Sequence, residues 1–197
     1  CPVDFRSGLI DYEVDSDHLE EHSGARFMRP IRPCRVSDTG QEFYIPLEGE
    51  PNRTIILQGS MGSGKTFTSQ KFIENVKEEL DEPRICAISF RVMLAQMFAE
   101  RFGLHMYKDA SMKSRCLTDV DLLSIQLDSL KRLLSSHGDN VNLRLGRVYD
   151  VVIIDEIESV LAHFSAGTLR DPNRVFAVFS MIVSKCRCLV VCDADVG

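Results

Sequence analysis

Eight consecutive residues, Gly59-Ser60-Met61-Gly62-Ser63-Gly64-Lys65-Thr66, carry the chemistry that the remainder of the sequence has to position. Glycines at this spacing let the backbone turn tightly enough for successive amide N–H groups to face one anion. A helix starting near Lys65 would add the positive end of its dipole. Lys65 would reach the β- and γ-phosphates of a nucleotide, and the Thr66 hydroxyl would hold Mg²⁺. The G-x-x-x-x-G-K-T spacing is met in full, with the apolar run Thr54-Ile55-Ile56-Leu57 before it and a helical pattern after it. That strand, loop and helix context is what a phosphate-binding P-loop requires, and a Gly/Ser linker matching by chance would lack it. ATP with Mg²⁺ is the expected cofactor pair.

A second chemical element lies about ninety residues beyond Lys65, where the apolar run Val151-Val-Ile-Ile ends in Asp155 and Glu156. The two acids divide the work. Asp155 would share the Mg²⁺ with Thr66, and Glu156 would orient or deprotonate the water that attacks the γ-phosphate. A sheet that only bound nucleotide would not need Glu156. Lys65, Asp155 and Glu156 are thus the candidate catalytic residues.

Taken together, Gly59–Thr66, the stretch Asp155-Glu156-Ile157-Glu158-Ser159-Val160-Leu161 and the later Cys192-Asp193-Ala194-Asp195 resemble the first RecA-like lobe of a superfamily 2 helicase. More narrowly, they resemble the herpesvirus-type replication origin-binding protein family. Met61–Thr66 matches that family's Met-Gly-Ser-Gly-Lys-Thr. Ser89-Phe90-Arg91, ahead of a helix ending in Arg101-Phe102, matches its Ser-x-Arg element, Ser124–Arg132 resembles its motif Ib, and Asp193-Ala-Asp195 resembles its motif III. The resemblance runs in order over residues 51–197. Two places depart from the pattern: Gln58-Gly59-Ser60 stands where small or proline-containing residues are usual, and Glu158 is not the Asp or His of the best-known helicase boxes.

The resemblance implies a motor that couples ATP hydrolysis to movement along a nucleic-acid strand, in DNA replication. It puts Ser89, Arg91, Gln126 and Ser129 near single-stranded nucleic acid, expected to be DNA, and gives Asp193 and Asp195 the coupling of nucleotide state to the strand-gripping face. Backbone contacts of this kind position without reading sequence. From the residues alone, Arg91 could equally be a solvated arginine at a helix start, and Gln126 and Ser129 a strand end and a helix cap. The resemblance also implies a second RecA-like lobe, which supplies the arginine that stabilises the transferring phosphoryl group, and a nuclear location.

These residues need a scaffold, and the pattern from Arg53 onward supplies one by alternating short apolar runs with longer helical stretches. That is the signature of an α/β fold with a mainly parallel sheet flanked by helices. Strands are predicted at Thr54–Gln58, Arg84–Ser89, Leu122–Leu127, Val151–Ile154 and Cys188–Cys192, and helices near 65–79, 92–102, 128–135, 157–164 and 173–185. Continuous runs such as Val151-Val-Ile-Ile and Leu189-Val-Val imply strands covered on both faces. In open α/β sheets ligands gather at the carboxyl ends of strands, and each motif above falls at such an end.

Bulk properties fit this reading. The 197 residues allow one well-buried domain or one domain plus an appendage. At 44% hydrophobic and 26% charged they form an ordinary globular composition, with no run approaching the eighteen or so apolar residues of a membrane span and no signal peptide. The first residue is Cys and the last stretch is an apolar strand ending in Gly197, so both ends read as cut from a longer chain. The net charge of -6 belongs to the first fifty residues, which hold eleven acids against five bases; the rest holds eighteen of each. A strongly basic nucleic-acid footprint is therefore absent. Residues 1–50, with Pro2, Pro30, Pro33, Pro46 and an acidic patch from Asp11 to Glu21, read as an irregular lead-in that could be part of an upstream domain, and residues 51–197 as the ATPase lobe.

His18-x₃-His22 with Cys1 and Cys34 invites a zinc-finger reading, but Cys1 lacks a partner two to four residues away, which favours a solvated acidic segment. The stretch Gln41-Glu-Phe-Tyr-Ile-Pro-Leu could lie beside a nucleotide base. Seven cysteines, three of them in apolar runs (Cys86, Cys188, Cys192), point to buried thiols in a reducing, intracellular compartment. Strand geometry would turn Cys186 and Cys188 to one face, without a His to complete a metal set. Other readings are an AAA+ ATPase, for which no arginine finger or helical lid can be placed, and a nucleotide-dependent binding module or small-molecule kinase. A kinase must suppress water attack and would not favour Glu156.

Overall fold

The computed structural model describes residues 46, 50–59, 62–109, 117–134 and 148–193. Most of the lead-in, including the His18, His22, Cys1 and Cys34 set and nearly all of the 41–47 stretch, lies outside the described residues. So do Ser60, Met61 and Asp195.

Six strands form one parallel sheet in the order β1-β6-β5-β2-β4-β3. They are β1 (Arg53–Gln58), β2 (Ile85–Ser89), β3 (His105–Met106), β4 (Leu122–Gln126), β5 (Val151–Asp155) and β6 (Cys188–Asp193). The α-helices among the described residues are α1 (Lys65–Glu79), α2 (Val92–Phe102), α3 (Ile157–His163) and α4 (Pro172–Lys185). The expected α/β class is what the chain adopts, and it is the arrangement of a RecA-like P-loop fold.

Alternation within each strand divides the core in two. Ile55, Leu57, Ile85, Ala87, Val151, Ile153 and Val190 join Phe72, Ile73 and Val76 of α1 and the stacked rings of Phe98 and Phe102 of α2 on one face. Cys86, Ile88, Leu123, Ile125, Val152 and Ile154 pack on the other against Val160 of α3 and Val175, Val178, Phe179 and Ile182 of α4. Val151 to Ile154 are each at most 1% exposed. At about 1.5–3 kcal/mol per buried aliphatic side chain, before the entropy of ordering, this four-residue run contributes on the order of 6–12 kcal/mol. β5 is thus a firm mount for the acids at its end.

Two expectations are corrected. The helix predicted near 128–135 is a 3-10 helix, Leu127–Leu133, beginning directly after β4. Leu127, Leu130 and Leu133 recur at three-residue intervals, and the 3.0-residue turn of a 3-10 helix stacks all three on one side, where each is fully buried. Ser129 accordingly sits inside that helix and is not its cap. Cys186 and Cys188 do not share a face: α4 runs to Lys185, so Cys186 follows a helix and packs with Cys86, whereas Cys188 opens β6 in the opposite core. The two-residue strand β3, hydrogen-bonded to β4 at the sheet edge, has no counterpart among the predicted elements.

Candidate functional site at the carboxyl edge of the sheet

The loop after β1 is shaped by its glycines. Gly62 and Gly64 have φ of 82° and 91°, in the left-handed region that side chains disfavour. At Gly59 a Cβ would lie 2.7 Å from Ser63 Oγ and 3.3 Å from Ser63 Cβ, so a larger residue there would displace the Ser63 side chain. Gly64 takes the N-cap position of α1 with no side-chain cap and no acid in the first turn, so the helix presents its first N–H groups and its dipole unopposed. The Lys65 ammonium donates to the Gly59 carbonyl, which places the charge across the mouth of the loop. Thr66 is the second residue of α1 and partly exposed.

Strand order brings the acids alongside. β6 lies between β1 and β5, with Leu57, Cys192 and Asp155 level in register. Asp155 is half-buried at the end of β5, and its Oδ1 accepts the Glu156 N–H at 3.1 Å. Burial raises the Asp155 carboxyl above its ordinary value; the Glu156 N–H and the Lys65 charge pull it down, while the Glu156 and Asp193 carboxylates push it further up. Lys65, Glu156 and Asp193 therefore each act electrostatically on Asp155. Glu156 is exposed, with φ 52° and ψ 57°, a left-handed backbone that an L residue adopts only under constraint.

Part of the constraint is visible in Asp193, the last residue of β6, which is buried. Its Oδ2 accepts the Glu158 N–H at 3.0 Å, supplying from another strand the cap that α3 lacks locally, and its carbonyl accepts the Gly59 N–H at 3.3 Å. Asp193 thus touches both the glycine loop and the acid-bearing helix. Behind them, Ser69 of α1 and Cys192 are 3.4 Å apart, Oγ to Sγ.

The other candidates extend along the same edge. Ser89 ends β2, is fully buried and donates its hydroxyl to the Arg91 carbonyl at 3.0 Å. Arg91 is exposed at the N-cap of α2, its guanidinium 4.8 Å from the Phe90 ring centroid. Gln126 ends β4 with both amide atoms engaged: Oε1 accepts from Tyr107 Oη at 3.0 Å and Nε2 donates to the Phe90 carbonyl at 3.3 Å. Ser129 is partly buried one turn later. The structure gathers Gly59, Gly62–Thr66, Asp155, Glu156 and Asp193 at one end of the edge and Ser89, Arg91, Gln126 and Ser129 towards the other. Sequence reading missed Tyr107 and the pair Asp128 and His163, whose side chains meet at 2.8 Å; residues that far apart in the chain carry no periodic signal.

The residues fit Mg²⁺ with a phosphate chain. Among the described residues no group of three or more His, Cys, Asp or Glu could hold a metal alone. One carboxylate and one hydroxyl suit an ion that takes most of its ligands from phosphate and water.

A parallel sheet with a glycine loop opening α1 and an acid pair ending a buried strand defines a RecA-like P-loop protein. The profile of the origin of replication binding protein family matches residues 31–197, and the chain belongs to that family. It is 30% identical over 159 residues to a mimivirus protein named "Putative replication origin-binding protein" (77% of this chain, 19% of that one). It is 28% identical over 161 residues to the replication origin-binding protein of Psittacid herpesvirus 1 (79% and 17%). A third relative, the mimivirus "Uncharacterized putative helicase R8", is 28% identical over 152 residues (74% and 14%). The chain spans less than a fifth of the length of each of these relatives. No helix among the described residues is long and apolar enough to cross a membrane.

Proposed function

We propose that this chain is the ATP-binding lobe of a nucleic-acid-dependent ATPase of the helicase type, acting on DNA at replication origins. The observation that carries the reading is the convergence of the Lys65 charge, the uncapped start of α1 and the acids Asp155, Glu156 and Asp193 on one stretch of the carboxyl edge. The Gly59–Thr66 backbone and Lys65 would bind the phosphates, with Ser60 and Met61 completing the loop, and Thr66 and Asp155 would hold Mg²⁺. When bound, Mg²⁺ would neutralise charge building on the phosphate oxygens. Glu156 accepts the proton of the attacking water or orients it. Asp193, joined by Asp195, relays the state of the loop to α3. Arg91, with Ser89, Gln126 and Ser129 around it, faces the phosphate backbone of single-stranded DNA.

On this reading rapid turnover requires a second RecA-like lobe bearing an arginine, and residues 1–197 alone bind nucleotide, bind single strands weakly and hydrolyse slowly. The names of two of the relatives favour DNA replication, and a nuclear site of action is part of the proposal. The direct test is titration of the chain and of Lys65→Ala with a fluorescent Mg·ATP analogue. The unaltered chain is expected to bind and the folded variant to lose at least about a hundredfold in affinity, as loss of a charge-assisted phosphate contact implies. Equal affinity in a folded Lys65→Ala chain would overturn the assignment.

A further inference from the structure

The helix that follows the acid pair is fastened at both ends, and the second fastening lies in the segment proposed to face nucleic acid. At its start, the Glu158 N–H is held by Asp193 Oδ2 at 3.0 Å. At its end, five residues beyond Glu158, His163 Nε2 meets Asp128 Oδ1 at 2.8 Å, with the imidazole side chain 19% exposed and the carboxylate 37%. Asp128 lies in the first turn of the 3-10 helix Leu127–Leu133, between Gln126 and Ser129. At 1.5 Å per residue, α3 separates its two attachments by roughly 7–8 Å.

Packing makes this short helix a rigid connection. Val160 is fully buried beneath it, and Ile157, Leu161 and Phe164 pack on the same core. The Phe164 ring meets Phe176 and Phe179 of α4 edge-on, at 5.3 Å between centroids in each case. The 3-10 helix adds its buried Leu127, Leu130 and Leu133 to this core, so the Asp128 end of the contact is as firmly mounted as the His163 end. A displacement of Asp128 therefore pulls on the end of α3. At the other end of α3 stands the left-handed Glu156, held out of the conformation an L residue prefers, and a pull along the helix is felt there.

We propose that His163 and Asp128 are positioning residues that couple the two ends of the carboxyl edge, so that a strand bound beside Gln126 and Ser129 changes the affinity of the loop for nucleotide. This rests on the function proposed above. It adds a specific side-chain contact, made by two residues assigned neither to the phosphate loop nor to the strand contacts, as the carrier of the coupling. By linkage the effect is reciprocal: nucleotide must change strand affinity by the same factor.

The experiment measures the dissociation constant of a fluorescent Mg·ATP analogue for the 197-residue chain at low ionic strength, with and without a saturating thymidine oligonucleotide. The unaltered chain is expected to show a ratio on the order of fivefold or more, the lower range of measured couplings between sites. His163→Ala and Asp128→Ala, singly or together, are expected to bring the ratio to within about twofold of unity while leaving affinity without oligonucleotide unchanged. The double variant is expected to be no worse than either single one. Asp128→Asn keeps an acceptor oxygen for the imidazole N–H and is expected to retain the ratio. A role in folding alone would lower affinity and melting temperature without touching the ratio. A ratio that persists in the alanine variants, a ratio of one in the unaltered chain, or loss in Asp128→Asn as complete as in Asp128→Ala would each overturn the proposal. Failure of the unaltered chain to bind the analogue at all would instead overturn the assignment of the loop.

Discussion

The glycine loop offers a substitution whose effect can be worked out before it is made. At Gly64 the backbone has φ 91° and ψ 11°, and a Cβ built there meets nothing within 4 Å. Any loss in Gly64→Ala is therefore backbone strain and not a clash. A left-handed conformation costs an L residue roughly 1–2 kcal/mol. For a domain of this size 1 kcal/mol shifts the melting temperature by about 2–4 °C, so the folded chain should melt about 2–8 °C lower. If the chain instead relaxes the loop to escape the strain, the same 1–2 kcal/mol is charged to nucleotide binding, a loss of about 5–30-fold. Gly167→Ala is the control, because Gly167 also has open space around it but no left-handed backbone; it is expected to be neutral or slightly stabilising. Thermal melts of both variants, with and without Mg·ATP, read the two effects separately. Gly64→Ala and Gly167→Ala chains indistinguishable in both measurements would refute the claim that the loop depends on the Gly64 conformation.

Three further outcomes follow from the site. Glu156→Gln, in a form of the protein that turns over ATP, should keep nucleotide binding and lose hydrolysis on the order of a hundredfold, read as phosphate release; unchanged turnover would remove Glu156 from the chemistry. Asp155 has its carboxyl raised by burial, so the folded state holds that proton more tightly than the unfolded state does. The ionised group thus destabilises the fold above its unfolded value, and that cost disappears as pH falls through the raised value. Asp155→Asn should therefore raise the melting temperature at neutral pH without ligand and flatten its dependence on acid pH, while abolishing the effect of Mg²⁺ on nucleotide affinity. A destabilised Asp155→Asn chain would contradict the electrostatics. Finally, burial pushes the thiols of Cys86, Cys186, Cys188 and Cys192 up to about 12, so these four should resist alkylation at pH 8 until the chain unfolds; peptide mapping after a timed label distinguishes them from the rest.

The strands were legible to within one residue at each end because their apolar runs are buried on both faces and end where polar residues meet water. Val151-Val-Ile-Ile is the clearest instance. The spacing of Leu127, Leu130 and Leu133 was legible as helical but not as 3-10, since three-residue spacing serves both geometries until packing decides between them. β3 left no pattern because two residues cannot show alternation. At the site, Gly59, Gly62 and Gly64 announce their backbone, as glycines do. Glu156 does not: nothing in a glutamate marks a left-handed conformation, and the Asp193 carboxylate that caps α3 lies 35 positions from the N–H it accepts. Sequence order identifies chemical groups; it does not identify the partners that hold them.

The carboxyl edge divides its residues by accessibility in a way that bears on how a strand could be gripped. Ser89 is buried, and its hydroxyl is spent on the Arg91 carbonyl. Gln126 gives one amide atom to Tyr107 and the other to Phe90, so it joins the ends of β2, β4 and the segment after β3. Ser89 has no exposed group to offer, and Gln126 can offer only what remains of an amide already fixed at both atoms; a broken buried hydrogen bond costs about 1–3 kcal/mol. Arg91 is different: it is exposed, charged and steadied against the Phe90 ring. On the proposed reading, direct attraction to phosphate falls to Arg91, while Ser89 and Gln126 act at one remove by fixing the backbone from which Arg91 projects. With Arg91 the one charged member of the four, the proposed reading expects a weak hold on a lone strand, as a motor that releases its grip in every cycle would need.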